Sequence, residues 1–109
     1  MSKGDENGKK IKKSSFEPHL NQKFEIYPQE GKKVKVELVR ITEDKKGNVE
    51  SFSVLFRGPK ENPLAHDTHK LKHPKMGEFN LFLGPVVTEK TDGVYYQAVF
   101  TRLVEKKWI

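Results

Sequence analysis

Apolar residues recur at alternate positions along most of this chain, and no stretch repeats them at three-and-four spacing for more than a turn. Successive side chains of a strand point to opposite faces, so a period of two marks half-buried strands, and its persistence argues against any long helix. Phe24 and Ile26 start the pattern, and Val34, Val36 and Leu38 continue it. Val39 and Ile41 then take the opposite parity, which predicts a bend or β-bulge near Leu38-Val39. Phe52, Val54 and Phe56 form the next stripe, with Leu55 pointing to partial burial of the second face, and Phe79, Leu81 and Leu83 form another. In Val94 to Leu103 both parities are largely apolar, as suits a central strand.

Turn chemistry separates these stripes. Lys45-Lys46-Gly47-Asn48 reads as a turn, and Thr91-Asp92-Gly93 reads as a two-residue hairpin turn because Asp-Gly supplies positive φ angles. Gly58-Pro59, His73-Pro74 and Gly84-Pro85 read as strand ends. Lys60 to Ala65 contains Asn62-Pro63 and no periodicity, so it is a long loop. The fold expected is all-β: a small sandwich or barrel of about six to eight short, mainly antiparallel strands with no long helix.

The charge is unevenly placed. Within the net +6 of the 109 residues, the first 15 hold five lysines against two acids, with Ile11 the only apolar residue from Ser2 to Ser15. Such a segment cannot bury enough surface to offset the entropy of ordering it. Residues 1–15 are therefore expected to be a disordered basic tail and residues 16–109 a single β-domain. No apolar run is long enough to span a membrane, and the N-terminal residues lack the apolar core of a signal peptide, so a cytoplasmic location without membrane contact is expected.

Chemistry-bearing clusters are few. With no cysteine, the chain has neither a disulfide framework nor a thiolate zinc site nor a cysteine nucleophile. His66-Asp67-Thr68-His69-Lys70-Leu71-Lys72-His73 gathers three histidines and a carboxylate, and on a strand His69 and His73 share a face. Lys70 and Lys72 add repulsive charge and Pro74 stops the strand, so solvent-exposed histidines without a metal are the expectation. Ser51, Ser53, Thr68, Asp67 and His69 could in principle make a nucleophilic site, but there is no Gly-x-Ser-x-Gly elbow, phosphate loop or apolar carboxylate pair. No catalytic residue, cofactor or metal is therefore assigned, and the chain is read as a non-enzyme.

Lys9, Lys10, Lys12, Lys13, Lys32, Lys33 and Lys35, with Tyr27, Tyr95 and Tyr96, raise nucleic-acid binding. Interleaved Glu25, Glu30, Glu37, Glu43 and Glu50 argue instead for a mixed solvated surface, so such binding is expected to be weak and indifferent to base sequence. Protein is the expected partner. Leu64 and Trp108, apolar residues outside the strand stripes, are the candidate contact residues, with packing of Trp108 onto the core as the plainer alternative.

Four blocks carry a resemblance: Phe16-Glu17-Pro18-His19-Leu20-Asn21-Gln22-Lys23-Phe24, Phe52 to Pro59, His73 to Leu83, and Gly93 to Phe100. In this order they resemble the DUF6916 family, small bacterial domains of unknown function. The resemblance runs from about Phe16 to Leu103 and implies a compact β-domain, no catalytic residues to carry over, and an association with phage-tail-like proteins. Leu64-Ala65-His66-Asp67 stands where the family commonly has Gln-Gly, and Gly84 replaces an apolar residue, so the resemblance implies no shared metal site at the histidines. The reading is thus a non-enzymatic protein-binding or assembly module, with a nucleic-acid-binding β-domain and a metal-dependent enzyme at the histidines as alternatives.

Overall fold

The computed structural model describes residues 12–61 and 63–103. A one-turn helix α1 (Lys13–Phe16) and a 3-10 turn (Glu17–His19) precede six strands, β1 (Lys23–Tyr27), β2 (Val34–Lys46), β3 (Val49–Gly58), β4 (Asp67–His73), β5 (Gly77–Val86) and β6 (Val94–Leu103). Every neighbouring pair is antiparallel, and the strands close a barrel in the order β1-β2-β3-β6-β5-β4. The all-β expectation holds, as a barrel. Among the described residues no helix is long and apolar enough to cross a membrane. The chain up to residue 11 and beyond residue 103, including Trp108, lies outside the described residues, as does residue 62.

The parity switch in β2 is a bulge. Its register against β3 slips between Leu38 and Arg40, so Leu38 and Ile41 both turn toward the interior with Val39 as the extra residue. The bulge lets one 13-residue strand serve two neighbours: Val34 to Glu37 pair with β1, while Glu37 to Lys46 pair with β3. Gly47-Asn48 joins β2 to β3 as a two-residue loop between paired Lys46 and Val49, with Gly47 at φ 61°.

Two turn expectations and one strand expectation are corrected. Asp92-Gly93 is not a two-residue hairpin turn: β5 ends at Val86 and β6 begins at Val94, with residues 87–93 between them. Gly93 lies outside the positive-φ region, and its glycine is needed because a Cβ there would stand 2.5 Å from the Gly58 carbonyl oxygen. Asp92 anchors the connector instead, accepting from Arg57 Nη1 at 3.1 Å and from the Tyr95 hydroxyl at 2.8 Å. Gly84-Pro85 lies inside β5, where that strand changes partner: Leu83 is its last residue paired with β4, and Gly84 to Val86 pair with β6. Pro85 is tolerated there because no β4 residue faces it across the ladder. Nor is β6 central along its length, since Ala98 to Leu103 pair only with β3.

Phe24, Ile26, Leu38, Val54, Phe56 and Leu71, among others, fill the interior. Phe16 closes one end, fully buried, with ring centroids 5.8 to 6.3 Å from Phe24, Phe52, Phe79 and Phe100. The loop after β3 closes the other end through Leu64, whose N–H donates to the Tyr96 hydroxyl at 2.9 Å. Leu64 is 8% exposed and belongs to the core cluster, so its side chain is not an outward-facing contact. The sequence hid this because an isolated leucine in a Pro-rich loop shows no periodicity.

Candidate functional site

The histidines are not together on the surface. On β4, His69, Leu71 and His73 alternate inward, leaving His69 6% and His73 5% exposed, while His66 stands outside against Gly84, where a Cβ would meet its ring. The expectation of solvent-exposed histidines thus fails for two of the three, because β4 is a closing strand of the barrel and its odd positions face the core. His69 Nε2 donates to the Ala65 carbonyl at 2.9 Å, which leaves buried Nδ1 without a protein partner.

His73 lies at the Phe16 end, 4.5 Å from the Phe24 ring and 4.2 Å from the His19 ring by centroid. Its Nδ1 accepts from the N–H groups of Lys75 (3.0 Å) and Met76 (3.3 Å) and must therefore be bare. Nε2–H then donates to Gln22 Oε1 at 2.8 Å, an oxygen that also accepts from His19 Nδ1 at 3.1 Å. Burial, then the neighbouring His19 and Lys75, hold the His73 pKa below its ordinary value. Among the described residues no group of three or more histidine, aspartate or glutamate side chains is placed to hold a metal. Ser51 and Ser53 lie on β3, away from Thr68, Asp67 and His69 on β4, so neither serine is placed beside His69 and Asp67.

A neutral, buried His73 makes stability depend on pH. The unfolded chain takes up a proton near pH 6.5 and the folded chain only at lower pH, so stability is full above about 6.5 and falls as pH drops toward the folded value. Unfolding free energies from urea titrations are expected to be level above about pH 6.5 and to decline below it, by at most about 1.4 kcal/mol per pH unit for one proton. His73→Gln is expected to flatten that slope, and an unchanged slope in the variant would assign it to other histidines.

Two surfaces have a distinct chemistry. Around Tyr27, Lys70 and Lys72 place their ammonium groups 5.9 and 5.3 Å from the ring centroid, and the phenol donates to Glu25 at 2.6 Å. The acids that interleave here are already engaged: Glu25 with Lys33, Glu37 with Arg57 and Glu78 with Lys72. Lys23, Lys35, Lys70 and Lys75 make no close ion pair among the described residues, though the Lys35 charge acts on Glu25. A surface cavity of about 480 Å³ opens beside them, lined by Lys23, Glu25, Lys35, Lys72, His73 and Glu78 among others.

The second surface is the seam between β5 and β6. These strands pair only through Gly84–Gln97, Pro85–Tyr96 and Val86–Tyr95. Beyond that they diverge, with Phe16 between Phe79 and Phe100 on the inside. The facing edges, 77–83 of β5 and 98–103 of β6, have no partner strand among the described residues. On the outside, Phe82 is 59% and Val99 60% exposed. In a chain that is 33% charged, positions 51–56, 79–88 and 94–101 hold no charged residue. Exposed edges normally carry charge or proline against unwanted pairing. The lysines at 32, 33 and 35 do flank a strand start elsewhere, but the β6 edge from Ala98 to Thr101 has no such guard. The sequence signal for this surface was the double-sided apolar pattern of β6, which reads as centrality until the topology shows one side open.

The model of a family described as a domain of unknown function, DUF6916, matches residues 11–100. No curated protein and no solved structure matches the chain.

Proposed function

We propose, for a chain that belongs to the DUF6916 family, that this barrel is a non-enzymatic protein-binding or assembly module whose contact surface is the β5–β6 seam. The observation that carries this reading is the seam itself: two unpaired strand edges flanked by exposed Phe82 and Val99, without a guarding charge from Ala98 to Thr101. An edge of this kind adds a strand through main-chain hydrogen bonds and reads alternate side chains for specificity. The phage-tail-like setting that the resemblance implies suits such a role, since assembly proceeds by repeated edge and face contacts.

Tagged protein, compared with a Phe82→Lys/Val99→Lys double variant in affinity isolation from the native cell, tests it. The variant is expected to keep its melting temperature and lose the proteins that the unchanged chain recovers. Recovery of the same proteins by both would sink the seam as the contact surface.

A second reading, nucleic-acid binding, is favoured by the cluster of lysines around Tyr27, Lys70 among them making no close ion pair. Two ammonium groups already occupy the neighbourhood of that ring, so phosphate contact rather than base stacking is the chemistry on offer. Anisotropy of a labelled single-stranded oligonucleotide in the same study separates the two. This reading requires salt-sensitive binding that falls in Lys35→Ala and Lys70→Ala and persists in the seam variant.

A further inference from the structure

We infer that the occupant of the seam is a second copy of this chain, whose own β6 pairs antiparallel with the open edge of β6 at residues 98–103, about a two-fold axis at Phe100. This rests on the seam being a protein-contact surface, and adds the identity of the partner. In a two-fold contact the same patch meets itself, so any charge on it is set close to its own copy. Like charges opposite each other on paired strands are unfavourable.

In a chain of net charge +6, the lysine-bearing face around Tyr27 is poorly suited to meeting its own copy. The outer face of β3 and β6 is the opposite case. Ser51, Ser53 and Leu55 on β3 and Gln97, Val99 and Thr101 on β6 form a neutral strip of hydroxyl, amide and apolar groups.

Antiparallel β6 pairing satisfies the free edge of each copy with the other's and continues the sheet as β3-β6-β6-β3. Val99 of one copy then stands on the same face as Val99 and Thr101 of the other, where apolar and hydroxyl pairs are favourable cross-strand neighbours. A foreign acidic partner would be better served by the lysine face than by this strip.

Sedimentation of the full chain from micromolar to millimolar concentration tests the inference, because a self-associating chain changes mass with concentration. A monomer–dimer equilibrium is expected. Val99→Lys, which sets two ammonium groups together across the axis, is expected to weaken it at least about tenfold without altering the fold. Because the chain has no cysteine, single Val99→Cys and Thr101→Cys variants report proximity without background. Under mild oxidation one of them, or their mixture, is expected to form a disulfide dimer much faster than a Glu89→Cys control in the exposed connector before β6.

A monomer at every concentration, a dimer indifferent to Val99→Lys, or crosslinking no faster than the control overturns self-pairing. The wider reading of the seam fails by a separate result, recovery of the same cellular proteins by the Phe82→Lys/Val99→Lys variant.

Discussion

Replacing Phe16 by alanine is expected to destabilise the barrel by about 3–5 kcal/mol, the range for truncating a fully buried aromatic. At about 4–8 °C per kcal/mol for a domain of this size, the melting temperature should fall by more than about 10 °C. Phe16 is 0% exposed and faces four phenylalanine rings from β1, β3, β5 and β6. Those rings lie where β5 and β6 diverge, so collapse into the vacated space would require strands to move and not only side chains. Phe16→Leu should recover part of the loss, and Leu20→Ala, at a residue 42% exposed, should cost little. Denaturation midpoints of the three variants decide the matter. A loss below about 1 kcal/mol for Phe16→Ala would mean that the helix is not part of the cooperative unit.

The second large effect is expected at Gly93. An added Cβ would approach the Gly58 carbonyl oxygen to 2.5 Å and the Arg57 Cγ to 3.0 Å. Gly58 is held in the β3 ladder opposite Val94, so the connector must give way, along with the bonds Asp92 makes to Arg57 and Tyr95. A cost of about 1–3 kcal/mol is expected for Gly93→Ala. Asparagine separates close approach from turn chemistry. It tolerates positive φ, so a true Asp-Gly turn would accept it, whereas the contact with Gly58 makes Gly93→Asn at least as damaging as Gly93→Ala. Equal stability of Gly93→Asn and the unchanged chain, in urea titrations, would restore the turn explanation.

Gly93 illustrates how far the sequence carried. Local signals were legible where one residue's own conformation decides: the β2 bulge followed from parity at Leu38-Val39, and the tight turn from Gly47. Signals failed where the deciding neighbour is remote in sequence. Gly93 is read against Gly58, Gly84 against His66, and Leu64 against Tyr96, and none of these partners can be found by periodicity. The inward turn of His69 and His73 was half legible, since their shared face was evident from spacing. Which face it was depended on β4 pairing with both β1 and β5. The seam was hidden for the same reason, because two-sided apolar composition cannot distinguish a strand with two neighbours from one that lacks the second over part of its length.

The placement of Phe16 also bears on how the chain acquires its fold as it is made. The ring leaves the ribosome before any of the six strands, yet one of its burial partners, Phe100, belongs to the last of them, and β6 must dock on β3 before that partner is in position. Pairings between distant segments are slow because loop closure is unfavourable until the contacts that reward it have formed. The nascent barrel therefore carries an incompletely covered aromatic residue until β6 has been made and has docked on β3. A chain arrested before β6 would leave Phe16, Phe52 and Phe79 incompletely enclosed together, and would be a natural target for chaperones that hold apolar segments until β6 emerges.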